Sequence, residues 1–136
     1  MAERSKSGLK YAQTAEAGKY IPKPTSMKSR NYRKLMYVKT DLIVQTNSKL
    51  DRAVIEEIKK DIDLEKLAAF PAWHDGSRNE WVITDGNHRL QALKELGYEY
   101  APIVEISRNE FDLIAWEKKE IDIIVVVPKK IKVIGI

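Results

Sequence analysis

The segment from Trp81 to Ile106 constrains the fold more than any other part of the chain. Glu80–Thr84 (EWVIT) is rich in strand-forming residues and runs into the polar string Asp85-Gly86-Asn87-His88-Arg89. Leu90, Leu93 and Leu96, with Ala92, then recur at helical spacing, and Gly97 stands where a helix ends on a left-handed residue. Tyr100–Ile106 (YAPIVEI) reads as another strand. A strand, a sharp glycine turn, a short helix and a strand must form one packed unit, because neither the helix nor the strands can bury an apolar face alone.

The flanks extend this unit. Leu35–Val44 reads as one strand or a pair of short strands, closed by the Gln45–Ser48 loop. Ser48 is a candidate N-cap for a helix with Asp51 in its first turn and Val54, Ile55, Ile58 and Ile62 at helical spacing, ending near Asp63. Residues 64–69 are expected to add a turn. Phe70–His74 and Glu80–Thr84 read as a hairpin around Asp75-Gly76-Ser77-Arg78-Asn79. Beyond Ile106, Ser107 or Asn109 is expected to cap a helix through about Glu120 with Phe111, Ile114 and Ala115 inward. Ile121–Val127 and Ile131–Ile136 read as a hairpin turned by Pro128-Lys129-Lys130. The expected order, βαββαβαββ, is that of a single compact α+β domain: a mixed sheet with helices packed against it.

Charge divides the chain. Residues 1–40 carry a net charge of +8 and the remaining 96 residues −4, which together give the formal +4. No apolar periodicity precedes Leu35, so residues 1–34 are expected to be a basic, mobile arm on a domain spanning 35–136. Tyr11, Tyr20 and Tyr32 are interleaved with Lys19, Lys23, Lys28, Arg30, Arg33 and Lys34, a composition that neutralises phosphates and stacks on bases. A solvated tail is the plain alternative.

Composition removes whole classes of chemistry. With no cysteine, disulfides, thiolate nucleophiles and cysteine-ligated metals are out, and two histidines make a His-rich centre impossible. No apolar run reaches the ~20 residues a membrane span needs, and the N-terminus has no signal-like apolar core. A cytoplasmic protein is the expectation. Trp73, Trp81 and Trp116 read as core residues, and His74 as a surface residue. An edge position for Ile121–Val127 would let it pair with a second copy as a homodimer.

The string Asp85–Arg89 carries the chemistry. A helix start offers unpaired backbone N–H groups and a positive dipole end, and Gly86 permits close approach. Arg89 can grip a phosphate bidentately. Asp85 suits a proton or a Mg²⁺, and His88 an acid, base or phosphate donor. The bland reading has Asp85 as an N-cap, Gly86 as a turn residue and Arg89 paired with Glu95 or a loop carboxylate.

The string ITDGNHRLQALKELGYEYAPIVEI, residues 83–106, resembles the signature of the ParB/sulfiredoxin superfamily in its D-G-x-H-R form. Leu35–Val44, Asp51–Ile62 and Phe70–His74 resemble that superfamily's first strand, first helix and next strand, so the likeness covers residues 35–106. The G-C-H-R turn of sulfiredoxins needs a cysteine where Asn87 stands, which excludes that reduction. Partition proteins have a G-E-R-R turn and a second DNA-binding domain that this chain has no room for. The likeness is greatest to ParB-like nucleases and to a nucleotide-dependent serine kinase. It implies a phosphate site at Gly86, Asn87, His88 and Arg89, with Asp85, His88 and Arg89 as candidate catalytic groups. It also implies a nucleotide ligand (CTP, ATP or ADP), a divalent cation such as Mg²⁺ on Asp85, and DNA as partner. The kinase draws on a further acidic residue, for which Asp41 or Asp51 is the candidate. The expected activity is a nuclease or nucleotide hydrolase; a non-catalytic DNA-binding regulatory module and a small-molecule kinase are the alternatives.

Overall fold

The structure is a computed structural model; it describes residues 32–47, 49–62, 69–121 and 123–135. Lys19, Lys23, Lys28 and Arg30 of the basic arm lie outside the described residues, as do Ser48 and residues 63–68.

A mixed sheet of six strands forms the body. In chain order its strands are β2 (Met36–Lys39), β3 (Ile43–Val44), β4 (Phe70–Asp75), β5 (Glu80–Ile83), β6 (Tyr100–Ile106) and β8 (Lys132–Ile134). Their order across the sheet is β3-β5-β4-β6-β2-β8. A separate parallel pair joins β1 (Tyr32–Lys34) to β7 (Ile124–Val126). The helices are α1 (Arg52–Lys60), α2 (Asn87–Glu95) and α3 (Arg108–Ala115). The single α+β domain expected from the sequence is what forms.

Strand alternation decides which residue meets which helix, because successive side chains leave a strand on opposite faces. Met36, Val38, Phe70, Ala72, Trp81, Ile83, Ala101 and Ile103 share one buried cluster with Leu90 and Leu93 of α2. Their neighbours Trp73, Val82 and Ile106 belong to the cluster built on Phe111 and Ala115 of α3. Tyr37 and Tyr100 pack with Leu35 and Val127. β6 is buried along nearly its whole length because both its faces are covered. β4 and β5 pair antiparallel, with Trp73 opposite Val82, and α1 packs on α2.

Several sequence expectations are corrected. The arm read as 1–34 gives up its last residues to β1, where Arg33 Nη2 lies 2.8 Å from Glu110 Oε2 of α3. Of the two forms open to Leu35–Val44, the pair of short strands is what folds, as expected, with a 3₁₀ turn at Thr40–Leu42 between them. Asp51 caps α1, its side chain accepting from Ala53 N at 2.9 Å. Val54 turns outward, 40% exposed.

The helix expected to reach Glu120 stops at Ala115. Trp116 is its C-cap, Lys118 adopts a left-handed φ of 56°, and the charged residues beyond offer no apolar face to extend the packing. Trp116 is consequently 61% exposed, not core, whereas Trp81 is 3% exposed as expected.

The terminal hairpin does not form. β7 pairs with β1 and β8 pairs parallel with β2, so consecutive strands go to different partners. The connection contains no residue suited to a tight primed turn, and it carries Val127 and Ile131 into the cluster of Leu35 and Tyr37. Crossing over buries Val127 and partly buries Ile131.

Candidate functional site

β5 ends at Ile83, and Thr84 continues its ladder for one bond, donating its N–H to Pro71 O at 3.1 Å. The chain then turns through Asp85 and Gly86 into α2. Gly86 is the N-cap of α2, in left-handed geometry with φ 77° and ψ 25°. A Cβ built there would stand 3.0 Å from Arg89 Nη2 and 3.0 Å from Phe70 Cε1. Glycine is therefore required twice, by the dihedral and by the contact.

The three helix starts differ. Asp51 caps α1 with its carboxylate, and Ser107 caps α3 in a reciprocal box with Glu110. No side chain caps α2. The first-turn amides of any α-helix lack intrahelical acceptors, so the start of α2 offers donors with no side chain of its own set over them. Asp85 is exposed beside this start, with Oδ1 3.5 Å from Thr84 Oγ1, and is not the cap.

Arg89 lies under the turn. Its guanidinium carbon sits 4.4 Å from the centroid of the Phe70 ring, and Phe70 is fully buried. Nε of Arg89 is buried without a hydrogen-bond partner, and among the described residues the guanidinium forms no ion pair. Burial pushes its pKa below the ordinary value, partly opposed by the charge of Asp85. Glu95, the carboxylate the bland reading would give to Arg89, is engaged elsewhere. It takes Arg52 Nη1 at 2.6 Å, Lys59 Nζ at 3.2 Å and Gln91 Nε2 at 2.8 Å, clasping α1 to α2.

Asn87 and His88 both reach the connection between β3 and α1. Asn87 Oδ1 accepts from Thr46 N at 2.9 Å and Asn47 N at 3.3 Å, and its Nδ2 donates to Thr46 Oγ1 at 3.2 Å. His88 Nε2 accepts from Asp51 N at 3.0 Å, which sets the imidazole to the tautomer with its proton on Nδ1. No pattern local to residues 85–89 signals these contacts, since the partners are about 40 residues away in the chain.

A resident metal is not supported by these side chains. Asp85 is a lone exposed carboxylate, and among the described residues no group of three His, Asp or Glu stands together to hold an ion. Of the acidic residues nearer the N-terminus, Asp51 is spent on its cap, and Asp41 lies in the 3₁₀ turn with its charge acting on Lys94. His74 stacks on Trp81 at 4.5 Å and reaches Asn79 Oδ1 at 3.2 Å, as a surface side chain. Sequence reasoning missed Phe70 as the floor beneath Arg89; its strand assignment was the only signal.

No protein-family model matches the chain, and no curated protein does. Solved structures do. One is SbnI with a C-terminal truncation from Staphylococcus aureus, at 23% identity and TM-score 0.47, covering 55% of this chain and 31% of that one. Another is the C-terminally truncated chromosome-partitioning protein ParB from Caulobacter crescentus complexed with CTP-γ-S, at 11% identity and TM-score 0.49, covering 64% and 55%. A third is a Pnob8-like ParB N-domain, at 14% identity and TM-score 0.39, covering 65% and 39%. Two of these three structures are ParB proteins. The matched region spans from 31% to 55% of those chains, and likeness at this level says nothing about ligand or reaction.

Proposed function

We propose that this chain binds the phosphate of a nucleotide or a nucleic acid at the start of α2. One observation carries the reading. Arg89 is a half-buried cation with an unpaired Nε, stacked on Phe70 directly under an uncapped helix start. The guanidinium atom beside the turn is Nη2, 3.0 Å from where a Cβ of residue 86 would stand, so an anion at the turn would meet an unneutralised cation there. Gly86 leaves the backbone bare, the first-turn amides supply donors, and Arg89 Nη2 supplies charge.

The basic residues before β1 give DNA as the favoured macromolecular partner, with Lys19, Lys23, Lys28 and Arg30 supplying phosphate contacts. CTP, ATP and ADP are the small-molecule probes. Cleavage or hydrolysis is the finer reading. It would use Asp85 on a proton or on a cation brought by the ligand, and His88 through Nδ1, since Nε2 is committed to Asp51. Binding without turnover needs only Gly86, Arg89 and the amides, and it is the reading we favour. Among the described residues no helix is long and apolar enough to cross a membrane.

The test is calorimetric titration of the full chain with CTP, ATP, ADP and a labelled duplex, repeated with Arg89→Ala. Loss of about tenfold or more in affinity, the value of a charge-assisted contact, supports the site. Equal affinity in the variant removes it. Product formation in the same samples with Mg²⁺ decides between binding and hydrolysis.

A further inference from the structure

The first two residues of α2 hold the chain segment that precedes α1. Three backbone amides of the connection between β3 and α1, those of Thr46, Asn47 and Asp51, end on the side chains of Asn87 and His88. Both ends of the Asn87 carboxamide are engaged, Oδ1 by the two amides and Nδ2 by Thr46 Oγ1. Apolar packing contributes little here: Asn47 and Lys49 are exposed, and Thr46 and Leu50 only half-buried. Gln45 Nε2 adds one more polar contact, to Gln91 Oε1 at 2.9 Å. This connection is therefore fastened to α2 chiefly by hydrogen bonds.

We propose that Asn87 and His88 are positioning residues that couple the β3–α1 connection to the phosphate site. The inference rests on the phosphate reading above. Asn87 and His88 are the first two residues of α2, so the side chains that hold Thr46, Asn47 and Asp51 belong to the same turn whose amides face the ligand. When those bonds are formed, the first turn of α2 is ordered from outside. When they open, it frays, as weakly packed helix ends do. A phosphate that needs the ordered turn favours the fastened state, and by linkage the fastened state favours the phosphate by the same factor.

Amide hydrogen exchange on the full chain, read by NMR, tests this in two steps. In the ligand-free chain Asn87→Ala is expected to speed exchange at Thr46 and Asn47 about tenfold, and His88→Ala to do the same at Asp51. Asn87→Asp keeps an acceptor for both amides and restores slow exchange, which a merely destabilised variant would not show. Saturating CTP is then expected to slow exchange at Thr46, Asn47 and Asp51 in the unaltered chain. Asn87→Ala should bind CTP about five- to tenfold more weakly, a factor in the ordinary range of site coupling. CTP binding that depends on Arg89 but leaves these three amides unmoved overturns the coupling and leaves the phosphate site standing. No Arg89-dependent binding of CTP, ATP, ADP or duplex overturns both. Unchanged ligand-free exchange in Asn87→Ala and His88→Ala overturns the fastening itself.

Discussion

The guanidinium of Arg89 stacks 4.4 Å above the ring of Phe70, in a space that exists because Gly86 has no side chain. The three residues come from the start of β4, the turn and the first turn of α2, and they bind the turn to the sheet. Arg89 makes no ion pair among the described residues, so the stack fixes the cation while leaving its charge for an anion.

Gly86→Ala tests that arrangement directly. The substitution places a methyl group 3.0 Å from both Arg89 Nη2 and Phe70 Cε1 and forces a left-handed φ on alanine. A loss of about 1–3 kcal/mol in urea unfolding is expected, along with loss of Arg89-dependent phosphate affinity. Full stability in the variant would mean that the turn relaxes freely and that glycine is not required there.

Acid should loosen the contact between α1 and α2. Contact with Arg52 above all, then with Gln91 and Lys59, holds the Glu95 carboxylate down to about 2, against an ordinary 4.5. A carboxylate depressed in the folded state contributes fully above its unfolded value. That contribution is lost as pH falls from about 4.5 toward 2. The urea midpoint is expected to drop between pH 5 and pH 3, and to drop less in Glu95→Gln. Glu110, Asp75 and Glu56 are depressed as well and account for the slope that remains. Parallel curves for the two proteins would show that the clasp contributes nothing measurable.

Two truncations separate binding from folding at the N-terminus. Removing residues 1–31 deletes seven Lys and Arg residues and leaves β1 intact. Duplex affinity should fall and its salt dependence flatten, by about 0.9 in the log–log slope for each phosphate that is no longer neutralised. Removing residues 1–34 also deletes β1 and the bond from Arg33 to Glu110, so this shorter chain should melt at lower temperature. An unchanged salt slope in the first truncation would sink the DNA role of the arm.

The tryptophans should behave unequally. Trp81→Ala empties a site that is 3% exposed in the main cluster and is expected to cost about 3–5 kcal/mol. Trp116→Ser changes a side chain that is 61% exposed, and its effect should stay within about 0.5 kcal/mol. Chemical denaturation of both variants checks the contrast.

The elements around the site are legible in the amino-acid sequence. Apolar alternation in β4 and β5, the glycine before α2 and the glycine after it are local signals, and each acts through dihedral preference or side-chain period. The contact of Gly86 with Arg89 is local as well, since the two lie within four residues of one another. Tertiary structure decided how the turn's polar side chains are used. Asn87 and His88 turn to Thr46, Asn47 and Asp51, partners 37 to 41 residues away, and no local preference encodes a bond of that separation. The same holds for the last two strands. Each is a short apolar run that fits several neighbours, and β1 and β2 became their partners because that placement buries Val127 and packs Ile131 against the same cluster.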